Sequence, residues 1–250
     1  MKQLTTPLLA ALVLGTATAS AQTTFKLGVR GGLNRALTTV APGSGPSGPN
    51  TYERSADKSA IYAWQAGLVF EAAFGKFAVQ PALVFSQKGE KFNANVYYNG
   101  LGGGFITGIN STNRYNWLEL PINFVYTLHG DHGLQLFAGP YVAMGVGGRQ
   151  TGTGYYLVPN ISYPSYEFAN QVTYGSTTSN RRFDAGVNFG LGYRQGPVQV
   201  QASFGLGLVN LHREVINIDP GFSPQTAYNF YADAAYNRVV QLTGTYFFSL

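Results

Sequence analysis

Residues 182–208 read RFDAGVNFGLGYRQGPVQVQASFGLGL. Large apolar side chains alternate with polar or very small ones on both sides of the turn residues Gln195-Gly-Pro197. A period of two residues is typical of β-strands that have one apolar face, and glycine and proline commonly mark the turn between two strands. The stretch therefore predicts an antiparallel hairpin with one greasy face and one polar or small face.

The same alternation recurs along the chain and predicts eight strands. Each is long enough to cross a bilayer, which takes about 9–11 tilted residues. The links between them alternate between short and long, and this alternation is typical of outer-membrane barrels, which have tight periplasmic turns and long external loops. We therefore predict an all-β fold, an eight-stranded antiparallel up-and-down transmembrane β-barrel over residues 22–250. The strands are Phe25–Ala36, Ala60–Phe74, Phe77–Lys88, Arg114–Leu128, Leu134–Gly147, Arg182–Arg194, Val198–Leu208 and Tyr236–Phe248, and the long external loops are about 37–59, 89–113, 148–181 and 209–235.

Composition supports a membrane barrel over a soluble protein. Charged residues make up 11% of the chain, against about 25% in typical soluble domains. The polar face of the strands carries Gly, Ala, Ser and Gln, which suit a narrow barrel interior. A secreted soluble barrel, with apolar residues inside and polar ones outside, is the alternative. The 16 basic residues form no cluster that would track nucleic acid, and the absence of cysteine excludes disulfides and thiolate metal sites.

The first 21 residues have the pattern of a signal peptide. Lys2 precedes the short apolar run Leu8–Leu14, and Ala19-Ser-Ala21 is a small-residue cleavage site. We expect cleavage before Gln22 and delivery to the cell outer membrane.

Charged residues on the inward parity predict two clusters inside the barrel. Charges in a narrow, desolvated interior must be paired, so we expect a polar plug, with an ion path as the alternative. Glu71 is the predicted acceptor for Lys26 or Arg30, and Glu119 the predicted acceptor for Lys88. The lower cluster is Lys26, Arg30, Glu71 and Arg194, and the upper cluster is Lys88, Glu119, Arg182 and Asp184.

Aromatic residues collect at the short-turn ends of the strands and predict a periplasmic girdle at the lipid–water interface. The girdle residues are Phe25, Phe74, Phe77, Tyr126, Tyr193, Tyr246 and Phe248. Pro81, Pro121 and Pro140 lie inside predicted strands, where proline removes a ladder hydrogen bond that a β-bulge can accommodate.

The sequence holds no pattern that predicts catalysis, a cofactor or a metal site. His129 and His132 flank a turn, where His, Asp and Gly collect for geometric reasons. His212 lies beside the last long loop, and a Ser–His pair of a lipid-modifying enzyme is not visible in the sequence.

The long loops are rich in Tyr, Asn, Ser, Thr and Gly, a composition that is typical of adaptable recognition surfaces. We therefore expect a monomeric barrel with a structural or surface-binding role, with a narrow solute channel as the second hypothesis and a lipid-modifying enzyme as the third.

Several segments together resemble a known family. They are Lys26-Leu-Gly-Val-Arg-Gly-Gly-Leu-Asn34, Pro81-Ala-Leu-Val-Phe-Ser-Gln-Lys-Gly89, Trp117-Leu-Glu-Leu-Pro-Ile122, Phe137-Ala-Gly-Pro-Tyr141, Phe189-Gly-Leu-Gly-Tyr193 and Thr245-Tyr-Phe-Phe248. In order and spacing they resemble the outer-membrane β-barrel domain found widely in Bacteroidetes, often called PorT-like or "porin family". The resemblance implies an eight-stranded barrel in contact with outer-membrane lipid, inserted by the barrel-assembly machinery through a signal at Tyr246–Phe248. It implies no single activity.

Overall fold

The computed structural model describes residues 23–40, 51–100, 103–130, 132–158, 161–162, 164–174, 180–211 and 235–249. The predicted signal peptide lies outside the described residues. Within them no helix is long and apolar enough to cross a membrane. The strands are β1 Thr24–Val40, β2 Thr51–Phe74, β3 Phe77–Gly100, β4 Gly103–His129, β5 His132–Val158, β6 Ile161–Ser162, β7 Tyr166–Gln171, β8 Phe183–Gln195, β9 Val198–Gly207 and β10 Ala235–Ser249.

Eight of these strands form a closed antiparallel ring. The order around the ring is β1, β2, β3, β4, β5, β8, β9 and β10, and β10 pairs with β1 from Lys26↔Ser249 to Val40↔Ala235. The short strands β6 and β7 lie outside the ring and pair with the far end of β5. The predicted all-β, eight-stranded antiparallel barrel is confirmed, and closure of the ring leaves no free edge along its shared length.

The predicted strand ends are wrong on one side of the barrel. Residues 89–100 and 103–113 are strand residues and not loop residues, because β3 and β4 pair without a break from Gly89↔Arg114 to Gly100↔Gly103. Strand β2 begins at Thr51, and β5 continues to Val158. Gly89 and the polar residues after it resemble turn residues in the sequence, but they extend a hairpin beyond the bilayer. Most of the predicted loop 209–235 lies outside the described residues.

The three strand prolines are accommodated without bulges. Near Pro81 the pairing of β2 with β3 stops at Val69↔Ala82 and resumes at Ala72↔Val79 in the same register. Pro121 and Pro140 lie at similar two-residue gaps between β3, β4 and β5. A proline therefore removes its ladder bond locally and does not shift the strand. The register shifts lie elsewhere, between Ala60 and Gln65 on β2, and on β4 between Asn116 and Trp117 and between Thr127 and His129.

The two faces of the ring differ sharply. Along β9, Val198 and Val200 are exposed to the outside, whereas Gln199 and Gln201 are buried inside. The buried polar side chains of the barrel include Asn34, Gln80, Ser86 and Gln135. This is the reverse of a soluble ligand-binding barrel, which would bury its apolar face.

Candidate functional site

The lower end of the lumen is organised by one carboxylate. Glu71 on β2 is 1% exposed, and both of its oxygens accept hydrogen bonds from Nη1 of Arg194 on β8, at 2.8 and 2.6 Å. Gln80 donates to Glu71 Oε2 at 2.7 Å. Lys26 lies directly opposite Glu71 in register, but its Nζ is 4.0 Å away and its side chain is 27% exposed. Arg194 is therefore the main partner of Glu71.

Arg30 takes a different position from the one we expected. It does not bond Glu71; its Nε donates to Thr245 Oγ1 at 3.1 Å and its Nη2 to Gln201 Oε1 at 2.9 Å. Four residues further along β1, Asn34 donates to Ser86 and accepts from Gln65. The middle of the lumen is thus filled by side chains of five strands, β1, β2, β3, β9 and β10.

The upper lumen holds the predicted pair of Lys88 and Glu119. Lys88 Nζ lies 2.6 Å from Glu119 Oε1, and both residues are buried. The same ammonium lies 4.8 Å from the centre of the Tyr141 ring. Tyr141 in turn donates its hydroxyl to Asp184 Oδ2 at 3.0 Å, and Asn237 donates to the same oxygen at 2.8 Å. These contacts link five strands, β3, β4, β5, β8 and β10, through one network.

Two assignments of the upper cluster need correction. Arg182 is exposed and lies just before β8, so it does not belong to the lumen. Glu90, which sequence reasoning missed, is 2% exposed and accepts bonds from Thr38, Asn113 and Tyr115. The inward parity of Ser86 and Lys88 continues to Glu90. This parity would have identified Glu90 as an inward residue if the predicted third strand had not ended at Lys88.

Aromatic side chains close the upper end of the lumen. Trp117 is 1% exposed, and its ring lies 5.9 Å from that of Tyr174, centroid to centroid. Gly145 makes this packing possible, because a Cβ there would lie 2.4 Å from the Tyr174 ring. Tyr174 lies outside the eight ring strands, and burial raises the pKa of its hydroxyl, so that it stays neutral. Trp117 therefore caps the lumen and does not belong to a lipid-facing girdle.

Little space remains between these groups. The cavity bounded by Arg30, Gln65, Glu119 and Gln201 has a volume of about 10 Å³. That is at the lower limit for one water molecule. The described side chains around this cavity therefore form a hydrogen-bonded polar core, which can hold the strands together and leaves room there for about one water molecule.

The outer face is an uninterrupted apolar band. No charged side chain points outward between Phe25 and Leu33 on β1 or along Val198–Leu206 on β9. The predicted girdle residues all lie on this outward face at the short-turn end, and some touch one another, as Phe77 does Tyr126 and Tyr246 does Phe248. The exposed fraction of the others is 50% for Phe25, 44% for Phe74 and 53% for Tyr193.

Beyond the apolar band, β2–β5 continue as a projecting sheet, defined here as residues 51–60, 89–100, 103–114 and 149–158. Its outward face carries a groove of about 590 Å³. Hydroxyl and amide side chains line most of the groove, among them Ser59, Asn93, Asn110, Thr112 and Thr151. Such groups both donate and accept hydrogen bonds. The sequence had assigned this region to loops.

The described residues contain no group of three or more His, Cys, Asp or Glu that could hold a metal ion. His129 and His132 face each other across their turn with ring centres 6.1 Å apart. His212 lies outside the described residues.

Fold and lumen together define a transmembrane β-barrel with an apolar belt and a closed polar interior. The chain belongs to the family described as outer membrane protein beta-barrel domain, whose model matches residues 20–213. No curated protein sequence matches the chain.

Among solved structures the chain is similar to Neisserial surface protein A (7% identity, TM-score 0.40, covering 89% of this chain and 97% of that one). It is also similar to the outer membrane protein OprG from Pseudomonas aeruginosa (12% identity, TM-score 0.29, 91% and 97% covered). A third is a deletion mutant of the monoaromatic hydrocarbon channel TodX (9% identity, TM-score 0.25, 93% and 91% covered).

Proposed function

We propose that this protein is a non-enzymatic outer-membrane barrel with a structural or surface-binding role, which it performs through the projecting sheet. The observation that carries the proposal is the combination of a closed lumen with strands far longer than a bilayer requires. Strands β2–β5 have 24–27 residues, whereas about 9–11 suffice to cross. The extra length serves no purpose in spanning the membrane, and a closed lumen does not need it.

The outward side chains of the projecting sheet suit contact with a partner. Asn93 and Asn110 lie opposite each other in register, and both side chains are exposed. The side chains of Asp57 and Lys91 are exposed as well. A rigid sheet holds these groups at fixed spacing, so that binding costs little ordering of the protein.

In-cell photo-crosslinking tests this role. A photoreactive residue at Asn110 or Thr153, both lining the outward groove, is expected to give a discrete adduct on living cells. The matched control is Phe124, an outward residue of the apolar band that is 58% exposed, where only lipid is expected. The same adduct from Phe124, or none from either sheet position, would contradict a surface-binding role.

We also propose a narrower family and a route of export for this protein. The motifs from Lys26-Leu-Gly-Val-Arg to Thr245-Tyr-Phe-Phe support membership of the PorT-like barrels of Bacteroidetes. The proposal also includes export with cleavage before Gln22, insertion by the barrel-assembly machinery, and a monomeric state. N-terminal sequencing of the mature protein from purified outer membranes tests the cleavage site, and a start other than Gln22 would contradict it.

A further inference from the structure

Three basic side chains meet on adjacent strands where the apolar band ends. On β5, Arg149 follows Val146 as the next exposed outward side chain, and it lies directly opposite Arg114 of β4. Lys91 of β3 is exposed and pairs with Thr112, two residues from Arg114 along β4. All three lie on the outward face, because the intervening Asn113 and Tyr115 point inward to Glu90.

This arrangement is unfavourable without an anion. Like charges directly opposite each other on neighbouring strands destabilise a sheet. The side chains of Arg149 and Lys91 make no ion pair or hydrogen bond with any described residue. An anion between them would remove the repulsion, because guanidinium groups bind phosphate through two parallel hydrogen bonds.

Arg114 is held in place for such a contact. Its Nη1 donates to the backbone oxygen of Tyr62 at 3.1 Å and to Gln87 Oε1 at 3.3 Å. Gln87 is itself held by Asn116 at 3.1 Å. These two bonds use one guanidinium nitrogen, so the other two remain available. Tyr62, at 73% exposed, lies near the upper limit of the apolar band, so Arg114 lies at the level where lipid headgroups begin.

The groove on the projecting sheet adjoins these three side chains. Lys91 and Thr112 line it together with Asn93, Asn110 and Thr151. Amide and hydroxyl groups of this kind suit a ligand rich in hydroxyls, such as a sugar. Asp57 is the carboxylate of the lining, so the basic end of the groove is the end nearest the membrane.

We propose that Lys91, Arg114 and Arg149 bind a phosphate of an outer-leaflet glycolipid, and that the groove above them contacts its sugar. Burial of the acyl chains along the apolar band places the phosphate at the basic cluster, and the sugar then extends toward Asn110 and Thr151. This site goes beyond the proposed function, since a barrel can hold a lipid whether or not its sheet binds a surface partner.

Native mass spectrometry of the full-length protein in a neutral detergent tests the site. The probe is lipid A with both phosphates, and the comparison arms are dephosphorylated lipid A, phosphatidylglycerol and inorganic phosphate. We expect lipid A to bind more tightly than each comparison compound. Each arginine is expected to contribute about 10-fold in affinity, as charge-assisted hydrogen bonds do.

Variants assign the effect to residues. Arg114→Gln with Arg149→Gln is expected to weaken lipid A binding by about 100-fold, about 10-fold for each arginine. The matched control, Lys76→Gln in the exposed β2–β3 turn, is expected to leave binding unchanged. Asn110→Ala with Thr112→Val is expected to weaken lipid A binding but not phosphatidylglycerol binding. Heat-modifiable gel mobility confirms that each variant is folded.

Three results would overturn the proposal. Equal affinity for dephosphorylated lipid A would remove the role of the phosphate. Unchanged affinity in the double arginine variant would remove the role of the cluster. Equal binding of phosphatidylglycerol or inorganic phosphate would remove the role of the sugar and the groove.

Discussion

Replacing Glu71 by Gln tests how the lumen stabilises the barrel. The change removes the charge that Arg194 faces at 2.8 and 2.6 Å, and Arg194 is only 4% exposed. Removing one partner of a buried ion pair leaves the other charge uncompensated, which costs about 3–5 kcal/mol. We therefore expect Glu71→Gln to lower the free energy of unfolding by about that amount.

A double-mutant cycle separates this pairing from other effects. The cycle combines Glu71→Gln with Arg194→Gln, and the double variant is expected to recover part of the loss because neither charge remains unpaired. Recovery will be incomplete, since Arg194 also bonds the backbone oxygen of Gly196 at 3.2 Å and packs on the Phe247 ring. Lys26→Gln is the matched control. The Lys26 side chain is partly exposed and lies 4.0 Å from Glu71, so we expect the free energy of unfolding to fall by about 1 kcal/mol or less.

The assay is equilibrium unfolding in urea after insertion into lipid vesicles, read by gel mobility and tryptophan fluorescence. An unchanged midpoint in Glu71→Gln would refute the reasoning. So would strictly additive effects of Glu71→Gln and Arg194→Gln, because the two groups would then not depend on each other.

Three further outcomes are expected. Lys88→Met should cost about 3–5 kcal/mol in the same unfolding assay because it leaves buried Glu119 unpaired, and a second change, Glu119→Gln, should restore part of that loss; two simply additive losses would contradict the pairing. Leu68→Arg, on the outward face at 51% exposure, should cost about 2–4 kcal/mol if it lies near the bilayer midplane, whereas Asn93→Arg on the projecting sheet should change stability by less than about 0.5 kcal/mol. The purified protein in planar bilayers should show no large steady conductance, since the cavity of about 10 Å³ is closed; reproducible porin-sized steps would favour the channel hypothesis.

The strand pattern was predictable because it depends on local alternation. The inward parity of Lys26 and Glu71, and their adjacency across β1 and β2, follow from period two and an antiparallel link. The bond between Glu71 and Arg194 does not follow from them, because β2 and β8 are not neighbours and meet only across the lumen. Contacts of that kind depend on barrel curvature and side-chain length, which the pattern does not contain.

The projecting sheet was missed for a different reason. Gly89, Asn93 and Asn95 are polar or flexible residues that commonly occur in loops, and the sheet lacks the apolar outer face that marked the other strands. Its regular pairing, for example Asn93↔Asn110, depends on the partner strand. Because the predicted third strand ended too early, at Lys88, Glu90 was not identified as an inward residue. The candidate binding residues Arg114 and Arg149 likewise fell at the edges of predicted loops.

Nitroxide accessibility measured by electron paramagnetic resonance tests the membrane-spanning barrel most directly. The chain contains no cysteine, so single-cysteine variants can be labelled at Val200, Ala202 and Phe204 on the outward face of β9 and at Asn93 on the projecting sheet. In lipid vesicles we expect oxygen, but not a water-soluble nickel complex, to reach the three β9 labels, and the nickel complex to reach the label at Asn93. Free access of the nickel complex to Ala202 would show that this position faces water, and the strand would then not span the membrane.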